Sequence, residues 1–255
     1  MNDDSKQFAV ECSNEVSDQG QNTKLRELSN QWINEAAKHN YSYHFEWLGR
    51  PIIQHPQDMI AVQQILWEIQ PDVVIETGIA RGGSLIYSAS ILELIAQCGG
   101  PQAAKVVGID IDIREHNRTA VEAHPMYKRI EMIQGSSVDD HVVAEVKTHV
   151  KPGDKVVVFL DSNHSHQHVM DELAAYSPLV TDNSYCVVFD TIVEDMPDFD
   201  LSHRPWGVGD NPKTAVFEFI KSQTPTCVPA FEIDEEIENR ILISVAPSGF
   251  LKRIR

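Results

Sequence analysis

Basic residues are scarce in this sequence. Its 255 residues include 21 Lys and Arg against 38 Asp and Glu, a net charge of −17. A surface with that surplus repels phosphate backbones and anionic headgroups, so nucleic acid and anionic membranes are not expected as partners. The one basic cluster is the terminal Lys252-Arg253-Ile254-Arg255. There are four cysteines, Cys12, Cys98, Cys186 and Cys227, and no two are spaced as a CxxC metal or redox pair. Cys98 and Cys186 sit in apolar segments and are expected to be buried thiols. No apolar run approaches the roughly 18 residues of a membrane span. The start MNDDSKQFAV lacks the basic-then-apolar pattern of a secretory signal, and a cytoplasmic location is expected. Neither the dinucleotide fingerprint GxGxxG nor a phosphate loop closed by Lys-Ser/Thr occurs at the glycine-rich turn described below.

What is present is ordinary for a globular chain: 42% apolar and 23% charged residues. The length is enough to bury a core without disulfides. Residues 1–22 are polar and read as a disordered tail. Residues 24–39 carry apolar side chains at helical spacing, 41–55 mix aromatics with Gly49 and Pro51, and Met59 to Ile69 marks a further helix. Residues 23–70 thus read as a helical extension with a lid segment. From 71 to 255 the pattern becomes strand, helix, strand. Short apolar runs end at Glu76, Ile109, Ile133, Leu160 and Phe189, with helical stretches between them. Continuous apolar strands separated by helices predict an α/β fold, a mostly parallel sheet covered on both faces. One helical stretch is expected over 164–176. A long acidic and proline-rich loop follows at 191–212. ENRILISVA, a PSG turn and FLKRI predict a C-terminal antiparallel hairpin. A homo-oligomer is expected on general grounds.

The first run ends Glu76-Thr77-Gly78-Ile79-Ala80-Arg81-Gly82-Gly83-Ser84. Gly78, Gly82 and Gly83 let a ligand approach backbone at a helix start, where free N–H groups point outward. A carboxylate there repels a phosphate and suits a cation. S-adenosylmethionine, with its ammonium and sulfonium, meets that description, and class I methyltransferases place an acid and a loose glycine turn at this point. The bland alternative is a strand-to-helix turn with no ligand. Asp110 and Asp112 after the second run are both candidates for the ribose hydroxyls, and one of the two is expected to be only a helix cap. Ser136 and Ser137 after the third run are placed to approach an adenine, or are turn serines.

Asp161 and Asp190 each follow an apolar strand, and the two strands are consecutive. Neighbouring strands lie about 4.8 Å apart, so both carboxylates reach one cation. Like charges that close need a metal or a proton, and oxygen ligands favour Mg²⁺ over Zn²⁺. The alternative is two loop caps. Around Asp161 the chain reads Asp161-Ser162-Asn163-His164-Ser165-His166-Gln167-His168. On a helix only His164 and His168 share a face, which argues against zinc. His164 is the candidate general base for a hydroxyl, with His166 as the fallback.

ETGIARGGS, GIDID, FLDSNHSH, YSPLV and VVFDTIVEDMP, with upstream FEWLGRPIIQHPQD and terminal APSGFLKRI, resemble the cephalosporin hydroxylase / rhamnosyl O-methyltransferase family. The resemblance covers roughly residues 40–255. It implies a Rossmann-like class I methyltransferase fold, S-adenosylmethionine as cofactor, and Mg²⁺ held by Asp161 and Asp190. It implies methyl transfer to a sugar hydroxyl or similar small acceptor in glycan or natural-product tailoring. Glu76, Thr77, Gly78, Arg81, Gly82, Gly83 and Ser84 would hold the methionine end, and Asp110 the ribose. Some members carry Glu-Asp where this chain has Phe189-Asp190, so Thr191, Glu194, Asp195 or water would complete the metal shell. That departure keeps open a non-catalytic cofactor-binding partner of another enzyme. An NAD-dependent oxidoreductase is a third possibility, disfavoured by the missing GxGxxG. No iron facial triad is recognisable, so the sequence favours methyl transfer over oxidation.

Overall fold

The computed structural model describes residues 3–224 and 226–255. Helices α1 (Asp3–Gln21) and α2 (Thr23–Ala37) lead into a hairpin of β1 (Phe45–Trp47) and β2 (Arg50–Ile52). Then come α3 (Pro56–Ile69), β3 (Val73–Thr77), α4 (Gly83–Gln97), β4 (Lys105–Asp110), α5 (Glu115–Glu122) and β5 (Ile130–Gln134). The second half runs α6 (Asp140–Thr148), β6 (Val156–Leu160), α7 (His166–Tyr176), β7 (Tyr185–Val188) and α8 (Pro212–Ser222). It closes with β8 (Phe231–Ile233), α9 (Glu235–Ile241) and β9 (Phe250–Arg253).

The main sheet has seven strands in the order β5-β4-β3-β6-β7-β9-β8. The five strands from β5 to β7 are parallel, and β9 and β8 are antiparallel additions at one edge. Alternate residues of each strand face opposite layers. Val74, Val106 and Val157 pack with α3, α4 and α9, whereas Val73, Val107 and Val158 pack with α6, α7 and α8. Both faces are covered, which is why these strands read as unbroken apolar runs. Ile52 and α3 belong to the same core as α4, so the extension is continuous with the sheet domain. The order reverses at β3, which has β4 on one side and β6 on the other. In such sheets a crevice opens beyond the strand C-termini at the reversal.

Four expectations need correction. Residues 3–21 form a helix, not a disordered tail; its end is anchored when Gln19 Nε2 donates to the Asn239 carbonyl at 2.7 Å, and Arg26 bonds both Gly20 and Asn239. The antiparallel edge pair exists, but its first strand is Phe231–Ile233, and ENRILISVA supplies the end of α9 and a loop instead. Helix α7 starts at His166, so His164 and His168 do not share a helical face. Cys98 caps α4 in an exposed position, while Cys186 is buried. Among the described residues no helix is long and apolar enough to cross a membrane.

Candidate active site

A cavity of about 460 Å³ opens at the sheet reversal. That volume suits one nucleoside-sized ligand. It is lined by the glycine turn after β3, by residues following β4, β5 and β6, and by the β1–β2 region and Trp206. The turn is shaped by close approach. Gly78 has φ +88°, and a Cβ there would overlap the Asp161 carbonyl; a Cβ on Gly83 would overlap the Pro51 carbonyl. Both positions therefore demand glycine, and the backbone of the turn stays bare toward the cavity.

Asp110, Ser136 and Ser137 line the cavity, as do Gly78, Arg81, Gly83 and Ser84. Asp110 Oδ2 accepts the amides of Ile79 (2.8 Å) and Ala80 (3.2 Å), and Oδ1 accepts that of Asp112 (2.9 Å). It holds the glycine turn as well as facing the cavity. Asp112 is exposed, paired with Arg114 at 3.6 Å, and takes no part in the lining. Gly82 caps α4 outside the lining, and Thr77 is fully buried with its hydroxyl facing the Asp161 amide at 3.3 Å. Glu76 lies one layer deeper, beside a second void of about 20 Å³ that Asp58, Gln54 and Asp161 also line. Burial pushes its carboxyl up to about 7 against hydrogen bonds from Ser84 and Ser88, and Oε2 has no protein partner. A buried acceptor without a partner fits a cationic group or a bridging water.

At the other wall Asp161, His164 and Asp190 each offer one ligand atom within 4.8 Å of the others. His164 Nε2 is 3.2 Å from Asp190 Oδ2, and its ring stands edge-on to Trp206 at 4.9 Å. Gln54 Nε2 donates to Asp161 Oδ2 at 3.4 Å. Enclosure first, then repulsion from Asp190, Glu76, Glu172 and Asp58, raises the Asp161 carboxyl well above the usual range. Such a group needs a proton or a cation, and two carboxylates with one imidazole fit a divalent ion.

The supplementary ligands named from sequence do not reach this cluster. Asp190 is itself left-handed (φ 55°), and after that reversal Thr191 turns away to donate to the Pro247 carbonyl at 2.7 Å. Glu194 accepts from Gly209 and Asn211, and Asp195 pairs with Lys213. Phe189 is buried against Phe159. His166 bonds Thr214 and Glu218 on α8, which removes it as the fallback base. Sequence reasoning missed Gln54 and Glu172. The only trace of Glu172 in the sequence is an acid four residues after His168 on an otherwise apolar helix face.

The family described as Rhamnosyl O-methyltransferase/CmcI matches residues 39–254. The chain belongs to that family. The rhamnosyl O-methyltransferase of Mycobacterium tuberculosis (strain ATCC 25618 / H37Rv) is 32% identical over 199 residues, covering 77% of this chain and 73% of that protein. The Mycobacterium leprae (strain TN) protein of the same name is 27% identical over 209 residues, covering 81% and 82%. Among solved structures, an apo form of CmcI-N160 superposes with a TM-score of 0.58 at 19% identity, covering 84% of this chain and 77% of that one. The methyltransferase MycE, solved with Mg, SAH and mycinamycin VI, gives 0.52 at 19% identity, covering 88% and 53%. These likenesses carry the class I methyltransferase fold, and the family makes this chain a methyltransferase.

Proposed function

We propose that the chain transfers a methyl group from S-adenosylmethionine to a hydroxyl of a sugar or similar small polar acceptor, with a divalent cation held by Asp161 and Asp190. The observation that carries this is the grouping of Asp161, His164 and Asp190 on the wall of a nucleoside-sized cavity. Names of relatives give the acceptor class: rhamnosyl groups for the mycobacterial proteins, and a complex with mycinamycin VI for MycE.

The residues divide the work. Gly78, Arg81, Gly83 and Ser84 hold the methionine end, and Glu76 faces its ammonium across the inner void. Asp110 receives the ribose hydroxyls with the acceptor capacity its three amide bonds leave. Asp161 and Asp190 would hold a divalent cation, Mg²⁺ being the ion found with MycE, and bound there it would lower the pKa of the acceptor hydroxyl. With Nε2 donating to Asp190, His164 keeps a lone pair on Nδ1 for the hydroxyl proton, and the Asp190 carboxylate stabilises the imidazolium. The acceptor oxygen then bonds to the methyl carbon as the carbon–sulfur bond breaks. The electron pair returns to sulfur, leaving neutral S-adenosylhomocysteine. The cluster of Asp161, His164 and Asp190 forms without an acid at position 189, which weighs against a non-catalytic role.

Calorimetric titration with S-adenosylhomocysteine, first with Mg²⁺ and then with EDTA, tests this. Micromolar binding is expected, with a separate Mg²⁺ heat that disappears in Asp190→Ala. Absence of nucleoside heat in both conditions overturns the reading.

A further inference from the structure

Helix α2 ends at Ala37, ahead of the residues 39–254 that match the family, so the family likeness does not account for it. Its Ile33 is buried with Ile192 and Met196, and Ala37, Phe199, Ile243 and Val245 pack around them. This cluster is separate from the two cores that cover the sheet. Small clusters of that kind sit under long loops, and segments held by few buried contacts open most readily. Ile192 and Met196 belong to the segment that leaves Asp190 and leads into the loop bearing Trp206. That loop has two anchors of different kinds. At its stem the bonds are polar and reach the start of α8: Glu194 Oε2 accepts from Gly209 (2.8 Å) and from the Asn211 amide, and Asp195 pairs with Lys213. The second anchor is apolar, with Met196 and Phe199 packed in the cluster around Ile33. Among the described residues no hydrogen bond or ion pair joins α2 to residues 196–210. An open groove of about 520 Å³ lies beside the contact, lined by Asn30, Asn34 and Lys38 on one side and by Pro197 and Asp198 on the other.

We infer that Ile33 is a positioning residue: it is the seat for a lid, residues 196–210, which swings on its polar stem at α8 and holds Trp206 beside His164 when seated. The inference rests on the function proposed above, which puts the acceptor at His164. Trp206 brings the loop into the cavity lining, and its ring meets His164. A seated lid keeps water from that end, and a lifted one admits the acceptor. The small size of the cluster lets the lid lift without opening either core, while the stem returns it to the same place. The glycine turn and the residues after β4 and β5 are carried by the sheet. Loss of the seat therefore frees the acceptor end and leaves the nucleoside contacts in place.

Hydrogen exchange on the full chain, read by mass spectrometry, tests this. Ile33→Ala leaves a gap beside Met196 and should speed exchange of peptides within 196–206 by about 10-fold or more. Exchange in β3, β4 and β6 should not change, and S-adenosylhomocysteine affinity should stay within about twofold by calorimetry. Ile33→Leu, which keeps the volume, should restore most of the protection. A merely structural role would speed exchange through the sheet as well and lower the nucleoside affinity with it. Should Ile33→Ala not fold, Met196→Ala cuts the same contact from the loop's side and should give the same local pattern. Exchange that is equal in wild type and folded variants, or a rise that spreads into the strands, overturns the inference and leaves the cofactor reading intact. Failure of the wild-type protein to bind S-adenosylhomocysteine overturns the cofactor reading instead, and the lid's role at an acceptor falls with it.

Discussion

Asp110 ends and Asp161 follows the strands on either side of β3, yet their surroundings are opposite. Asp110 accepts three backbone amides, so its charge is solvated by the turn it organises. Asp161 has one long bond from Gln54 and the repulsion of four other acids. One carboxylate is satisfied by the fold, and the other is left for something the fold does not supply. A charge already balanced by amides stabilises the native state. A charge left crowded costs stability and becomes useful only when a cation arrives.

Substitution at the two positions should therefore move stability in opposite directions. Asp161→Asn removes a crowded charge, so the urea midpoint of the apo protein at pH 8 should rise. Turnover with cation should fall by about 10³-fold, roughly 4 kcal/mol of barrier, and the calorimetric cation heat should vanish. Asp110→Ala breaks the three amide bonds and should cost about 3 kcal/mol in urea unfolding, with weaker nucleoside binding as a consequence of the loosened turn. If both variants lose stability alike, the contrast is wrong.

Glu76 sharpens the same contrast through pH. Burial pushes it up to about 7 from an ordinary value of 4.5. Between those values the native protein holds a proton that the unfolded chain has released, so stability falls as pH rises through that window and levels off above it. The contribution is about 3.4 kcal/mol at 1.36 kcal/mol per unit. Asp58, also raised to about 7 by burial, adds a slope of the same sign. Glu76→Gln should match the wild type near pH 4.5 and be the more stable protein at pH 8. Midpoints that run parallel for both proteins from pH 5 to pH 8 would refute the assignment.

The readable and unreadable parts of the sequence divide along similar lines. Strand ends were readable because an apolar run closed by an acid is a local pattern, and buried parallel strands leave no other face to show. Asp161, Asp190 and His164 followed from that pattern, as did Glu76 and the glycine turn. What failed depended on partners far along the chain. The polar helix α1 is anchored on Asn239 and Arg240, and nothing within residues 1–22 announces that. Thr191 was misread because Asp190 reverses the backbone. The place of Glu172 depends on the register of α7 against two separate turns. A short strand such as Phe231–Ile233 carries too few residues for any period to show.

The smallest expected effect lies at the mouth, where the comparison shifts from charge to surface. Trp206 stands edge-on to His164, and the Arg204 guanidinium lies 5.3 Å from its ring centre. Its loop is tied at the base by Glu194 to Gly209 and Asn211, so the indole is held beside His164, where the proposed function puts the acceptor. An aromatic ring there offers a platform for the C–H face of a sugar. Trp206→Ala should raise the acceptor KM by about 10-fold, near 1.4 kcal/mol, and leave S-adenosylhomocysteine affinity within about twofold. Trp206→Phe, which keeps a flat ring, should recover most of the loss. A matching fall in nucleoside affinity would mean the ring shapes the whole cavity, and the division into a charged wall, a nucleoside wall and an acceptor mouth would have to be abandoned.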